Sequence, residues 1–265
     1  MKQGRIIAIC TLVVALSAGA IITQIPVPAA WQGSTAAFHL PLAGYTIMAC
    51  LHVGAAVSFL TTLGVYKAQL RRAYLAIAAG IVVIAVGTLQ VSIIGDLNAW
   101  HSAWVVRGGL ILPFLCSSLI LYLGIRYFAQ LVGAKSILSR AMLIVPVAMI
   151  MSIAATFLPH VATTVPEIGF AIGNGITAWS GLLILAAAML VLDVKQHIGV
   201  HYTHAMTALS LPFFTSFIIL AVQFVHTLTS TSTTDLTSSL ITIMAIVSGI
   251  LWLRAGYAFV QTREY

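Results

Sequence analysis

Residues Phe38–Tyr66 read FHLPLAGYTIMACLHVGAAVSFLTTLGVY, and this stretch decides the fold class. Its 29 residues include no Asp, Glu, Lys or Arg. An α-helix rises about 1.5 Å per residue, so about 20 apolar residues cross the hydrocarbon core of a bilayer. The stretch therefore predicts a transmembrane helix. It also carries His39 and His52, and an imidazole inside a bilayer needs a structural or functional reason.

The whole chain has the composition of a membrane protein. Of its 265 residues, 61% are hydrophobic and 6% are charged, and the mean hydropathy is +1.09. So few charges do not cover the surface of a soluble domain of this length. The net charge of +7 does not indicate a nucleic-acid partner, because the charges stand at the ends of apolar segments. The three cysteines occur singly, without the motifs of a zinc ribbon or of covalently attached haem.

Eight apolar segments are long enough to span a bilayer, and they predict an all-α integral membrane protein of about eight transmembrane helices. The segments are Arg5–Ile25, Phe38–Tyr66, Ala73–Gly95, Ala103–Phe128, Ala141–Pro159, Ile168–Leu192, Ala205–Thr229 and Leu236–Leu253. The first is interpreted as a retained helix, because its apolar part is too long for a signal peptide. A weak repeat, with Phe38 and Gln90 matched by Phe170 and Gln223, predicts two four-helix halves, residues 1–135 and 136–265.

The basic residues predict the orientation in the membrane. In this topology 11 of the 12 Lys and Arg residues fall on one side, which the positive-inside rule makes cytoplasmic. Both termini are then cytoplasmic, and the expected location is the plasma membrane. The exception is Arg107, about two turns into the fourth segment from the outer side.

Four histidines, one aspartate and one arginine lie near the predicted outer face of the membrane. These are His39, His101, His160, His226, Asp96 and Arg107. A neutral imidazole inside an apolar bundle suits axial ligation of haem iron, and the four histidines are the candidate metal ligands. The guanidinium of Arg107 suits a haem propionate, and Asp96 suits the second nitrogen of a ligand histidine. The alternative is that histidines at segment ends simply contact lipid headgroups.

Two further histidine patterns stay open. His52, two residues after Cys50, is either a packed polar residue or the ligand of a second site. His197, His201 and His204 follow an i, i+4, i+7 spacing, which predicts one helical face able to bind Zn²⁺ or Cu²⁺. For these three the alternative is again contact with headgroups.

The motifs FHLPLAG (residues 38–44) and LQVSIIG (residues 89–95) resemble the haem A synthase family. The resemblance covers about the first 130 residues and implies eight helices in two similar halves, with haem near the outer face. Ala36, Leu40 and Leu110 stand where that family has an acid, an arginine and a deep partner histidine.

The motifs HLPLAGY (residues 39–45) and IIGDLNAW (residues 93–100) resemble subunit I of the cytochrome bd quinol oxidases. That resemblance implies that His39 is a ligand of haem b.

The sequence thus predicts a protein of aerobic respiration that binds b-type or a-type haem in the lipid bilayer. It would be haem A synthase-like or an electron-transfer subunit of a quinol-linked oxidase, with other respiratory subunits and quinol as partners. If it is an enzyme, it is a membrane oxidoreductase. Two alternatives stay open. One is a transporter or channel without a redox cofactor, using Arg107 and the glycine-flanked Asn174. The other is a copper-binding membrane subunit.

Overall fold

A computed structural model describes residues 6, 9–14, 17, 35–64, 68–94, 104–134, 165–229 and 235–262, and this part of the chain is helical, without a strand. Its six long helices are α1 (Thr35–Thr61), α2 (Ala68–Ile94), α3 (Trp104–Leu131), α4 (Val165–His197), α5 (Val200–Thr229) and α6 (Asp235–Thr262). Each contains 19 to 23 residues that are apolar enough to cross a bilayer. The predicted all-α, multi-pass membrane fold is confirmed at this level.

The six helices correspond to the second, third, fourth, sixth, seventh and eighth predicted segments. The predicted fifth segment, Ala141–Pro159, lies outside the described residues. Of the first segment, residues 6, 9–14 and 17 are described, and they are helical. The count of eight and the cytoplasmic termini stay predictions.

Several helices extend past the ends that hydropathy predicted, whereas α1 ends at Thr61, short of the predicted Tyr66. Helix α4 continues from Leu192 to His197, and α6 continues from Leu253 to Thr262. Polar residues such as Lys195 end the apolar run without breaking the helix, because the backbone hydrogen bonds do not depend on them. For α4 and α6, hydropathy therefore reflects the thickness of the hydrocarbon layer and underestimates helix length.

The six helices form a closed ring in which each packs against the next in chain order, and α6 returns to pack against α1. Short links make neighbours antiparallel within α1–α2 and within α4–α5–α6. The lysines and arginines whose side chains are described lie towards one end of the ring. They are Arg71, Arg72, Arg126, Lys195 and Arg254. We call this end the basic end.

Small residues bring α1 and α6 into close, parallel contact. A Cβ atom added to Gly249 would lie 3.1 Å from the Cβ of Leu51, and one added to Gly256 would lie 2.8 Å from the Cβ of Ser58. Both contacts join residues 198 positions apart in the chain. Glycine at these positions lets the two backbones approach, as is common between helices in membranes.

Aromatic rings fill the interior of the ring towards the basic end. The ring of Phe59 in α1 lies 5.3 Å from Phe259 in α6 and 6.4 Å from Tyr74 in α2. Phe213 in α5 meets Trp252 in α6 edge-on at 5.0 Å. The outer faces instead expose large aliphatic side chains, which suits contact with lipid. Among these are Val53, Val57, Val86, Leu112, Leu123, Ile218, Ile243 and Ile250.

The helix spacing has the pattern that a duplication predicts. Helices α4, α5 and α6 begin 130, 132 and 131 residues after α1, α2 and α3. The contacts α1–α2, α2–α3 and α3–α4 correspond to α4–α5, α5–α6 and α6–α1. The division into halves 1–135 and 136–265 stays a prediction, and this spacing supports it.

Candidate functional site

Three of the predicted outer residues lie at the same end of the ring, opposite the basic end. His39 is the fifth residue of α1, Arg107 is the fourth residue of α3, and His226 lies three residues before the end of α5. Helices α1, α3 and α5 are alternate members of the ring. The other three predicted residues, Asp96, His101 and His160, lie outside the described residues. Convergence of the predicted outer haem site therefore stays a prediction.

A buried histidine, His52, lies in the middle of α1. It is 1% exposed. Its ring Nδ1 lies 2.7 Å from the carbonyl oxygen of Met48, one turn earlier. A carbonyl only accepts hydrogen bonds, so Nδ1 carries the proton and donates it. In a neutral imidazole this leaves a lone pair on Nε2, which is buried and has no hydrogen-bond partner.

The position of His52 on α1 directs it towards the interior of the ring. His52 lies one turn after Met48 and two turns before Phe59, so the three residues share a helical face. Phe59 packs between Phe259 and Tyr74, from the two helices that flank α1. The opposite face of α1 exposes Val53 and Val57. The free lone pair of His52 is thus held inside the protein, away from lipid.

A second unpaired polar atom lies at the same depth. Trp252 in α6 is fully buried, and its indole Nε1 has no hydrogen-bond partner. The parallel contact of α1 and α6 places Trp252 level with Gly54, two residues or about 3 Å along the axis from His52. Its edge-on packing against Phe213 places it on the interior side of α6. An unpaired acceptor and an unpaired donor therefore share one layer of the membrane.

This arrangement fits a histidine that ligates a metal through Nε2. Ligating histidines usually donate the other ring N–H to a carbonyl or carboxylate, which fixes the tautomer and the ring orientation. His52 and Met48 have this relationship. The Nε2 atom of His52 is therefore the nitrogen that could ligate a metal ion.

Sequence reasoning left His52 open and favoured the histidines at the segment ends. The signal that distinguishes His52 is its place in the middle of an uncharged stretch, where an imidazole is furthest from water. Its hydrogen bond to Met48 is not readable from the sequence, because many helical histidines adopt other rotamers.

The histidines at the basic end do not form the predicted single face. Helix α4 ends at His197, and α5 begins at Val200, so the i, i+4, i+7 spacing crosses a break between two helices. Gly199 lies in that break. Its carbonyl oxygen accepts a hydrogen bond of 3.0 Å from the amide of Tyr202, in the first turn of α5. The one-face prediction is wrong for this reason. Within the described residues no three His, Cys, Asp or Glu side chains are grouped to hold a metal ion.

No family model, curated protein or solved structure matches this chain. The resemblances to haem A synthase and to the cytochrome bd subunit therefore rest on their short motifs alone.

Proposed function

We propose that the protein is a haem-binding, multi-pass protein of the plasma membrane that serves aerobic respiration. In this proposal it is haem A synthase-like or is an electron-transfer subunit of a quinol-linked oxidase, in contact with other respiratory subunits and with quinol. The observation that carries the proposal is the buried, unpaired Nε2 of His52, held in the ring interior by the hydrogen bond from Nδ1 to Met48. Haem of b-type or a-type, when bound, supplies one-electron transfer.

The residues of α1 and α6 have separate tasks in this proposal. His52 offers Nε2 to the iron, and Met48 holds the imidazole in the required tautomer and orientation. The N–H of Trp252 offers a hydrogen bond to a polar atom at the same depth. The aromatic layer of Phe59, Tyr74 and Phe259 excludes water between this position and the basic end.

The outer residues form a second candidate haem position. His39 precedes His52 by 13 residues, about 20 Å along a helix, so one haem does not take both as ligands. At the outer position His39 is the proposed first ligand, with His101 or His226 as the second. Arg107 would bind a propionate there, and Asp96 would orient a ligand histidine. His160 is the remaining candidate metal ligand at this face.

The test is the visible absorption spectrum of the purified protein in detergent, oxidised and then reduced with dithionite. A sharp reduced α-band is expected, and extraction of the pigment into alkaline pyridine then identifies the haem type. A colourless preparation with full helical content would contradict the proposal. Metal analysis of the same sample tests the copper-binding alternative.

A transporter or channel is the second candidate function, and prolines inside two of the spans favour it. Pro113 lies inside α3 and Pro212 inside α5, each within a span. A proline removes one backbone hydrogen bond, and transporters use such interruptions to bind solutes near the middle of the membrane. A colourless protein that moves an anionic solute across vesicle membranes, with loss of transport in Arg107→Gln, would support this candidate.

A further inference from the structure

The basic end of α4 holds a buried carboxylate that the haem proposal does not use. Asp193 lies within the span Gly175–His197 and is 2% exposed. It is the one acidic residue in the six spans that the structure describes. Its Oδ2 atom is buried and has no hydrogen-bond partner. Acidic side chains inside a membrane span are costly and usually belong to ion pathways or proton relays.

One turn of α4 connects this carboxylate to water. His197, the last residue of α4, has a side chain that is 38% exposed, against 3% for Asp193. Its Nδ1 lies 3.9 Å from Oδ1 of Asp193 and 2.9 Å from the backbone oxygen of the same residue. The imidazole therefore has one nitrogen directed at Asp193, and part of its ring is exposed. In the described part of the chain, no other basic side chain lies within ion-pair distance of this carboxylate.

The neighbouring helices supply further charged and titratable groups near this end. Helix α3 contributes Arg126, whose Nε is buried and unpaired, five residues before the end of that helix. Asp193 lies four residues before the end of α4, so Arg126 and Asp193 stand at similar depth on packed helices. On α4 and the two helices packed against it, the other titratable groups near this end include Tyr127, Lys195, His201, Tyr202 and His204. Helices α2 and α6 add Arg71, Arg72 and Arg254 at the same end.

We propose that Asp193 and His197 form a proton-binding site at the basic end of the ring, with His197 as the relay to water and Asp193 as the buried acceptor. In the uptake step Nε2 of His197 takes a proton from a hydronium ion, which leaves a water molecule, and the ring becomes an imidazolium. Nδ1 then releases its proton to Oδ1 of Asp193, directly after a small ring movement or through one water molecule. The carboxylate becomes a neutral carboxylic acid, and the imidazole is neutral again as the other tautomer.

The test is infrared difference spectroscopy of the lipid-reconstituted full-length protein between high and low pH. A protonated carboxyl C=O band is expected to grow as the pH falls, and it is expected to be lost in Asp193→Asn. Asn has the shape of Asp, so the fold is retained. The matched control is Asp235→Asn, at the first residue of α6 and the opposite end of the ring, which is expected to keep the band.

The relay role of His197 is tested by the rate at which the band appears after a pH jump. His197→Ala is expected to slow it about 100-fold, as is typical when a positioned acid–base group is lost, and free imidazole is expected to restore it. A difference spectrum without an Asp193-dependent band would overturn the proposal. So would an unchanged rate in His197→Ala, or displacement of the band by Na⁺ at fixed pH, which would indicate a cation site. The readout is a carboxyl vibration, so its outcome is independent of whether the protein binds haem.

Discussion

The ring of His52 donates a hydrogen bond of 2.7 Å from Nδ1 to the carbonyl oxygen of Met48, and this contact fixes the side of the imidazole that faces the ring interior. The carbonyl of Met48 lies within the helix and is buried whether or not His52 binds it. The contact therefore does not require burial of a further acceptor. The Nε2 atom stays buried and unpaired. An unpaired buried nitrogen costs about 1–3 kcal/mol, and a ligand bound there would remove that cost.

The buried donor on α6 gives the first prediction. Trp252→Phe keeps most of the ring volume and removes the indole N–H, which has no partner in the described part of the chain. We expect the protein without a bound ligand to lose little stability. The packing lost with the smaller side chain is offset by removal of a buried donor that has no partner. Thermal unfolding in detergent, followed by circular dichroism, measures this. A loss as large as that of Trp252→Ala, which empties the site beside Phe213, would show that the N–H has a partner.

The close approach of α1 and α6 gives the second prediction. A Cβ at residue 256 would lie 3.0 Å from the backbone oxygen of Ala55 and 2.8 Å from the Cβ of Ser58. Gly256→Ala therefore forces the helices apart, and we expect it to destabilise the protein by about 1–3 kcal/mol. The matched control is Gly64→Ala, where the added methyl group meets open space. Equal melting temperatures for the two variants would contradict the described packing.

The end of α3 gives the third prediction. Gly133 has a φ of +78°, and the amide of Ala134 donates to the carbonyl of Ala129 at 3.0 Å, as in a helix C-cap. Gly133→Ala is expected to lower stability by about 1 kcal/mol, because a side chain is strained in this conformation. Gly133→Asn is expected to cost less, since Asn tolerates the left-handed region. A melting temperature that does not distinguish the two variants would count against this cap.

Orientation in the membrane gives the fourth prediction. In a variant without Cys10, Cys50 and Cys116, single cysteines replace either Gly199, at the basic end, or Asp235, at the opposite end. With the basic end cytoplasmic, a membrane-impermeant maleimide is expected to label Asp235→Cys on intact cells. Gly199→Cys is expected to react only after permeabilisation. The reverse pattern would make the end with His39 cytoplasmic and would place the Asp193–His197 site on the outer side of the membrane.

The sequence predicted where the helices lie in the chain better than it predicted which helices pack against each other. Uncharged stretches such as Phe38–Tyr66 are sufficient to locate a span, because bilayer thickness sets their length. The packing of α6 against α1 depends on where small residues allow backbone contact, as at Gly249 beside Leu51, and many other glycines offered the same opportunity. Helix order in the ring was therefore not predictable.

Two features of the candidate site residues were also not predictable from the sequence. The spacing of His197 and His201 predicted one face only while the helix was assumed to continue, and the break at Gly199 removes that assumption. Burial of Asp193 was also missed, because an acid near a segment end usually reaches water. Here α4 continues to His197, which leaves Asp193 a full turn inside the helix.

Haem ligation by His52 is tested most sharply by the reduced-minus-oxidised visible spectrum of His52→Ala. The comparison variants are His39→Ala and His204→Ala, the latter at an exposed histidine. We expect His52→Ala to lose or shift the α-band of the haem at the middle of the membrane, while His204→Ala keeps the full spectrum of the unmodified protein. His39→Ala is predicted to remove only a band of a separate outer haem. A complete, unshifted spectrum in folded His52→Ala would contradict the assignment of His52 as an axial ligand.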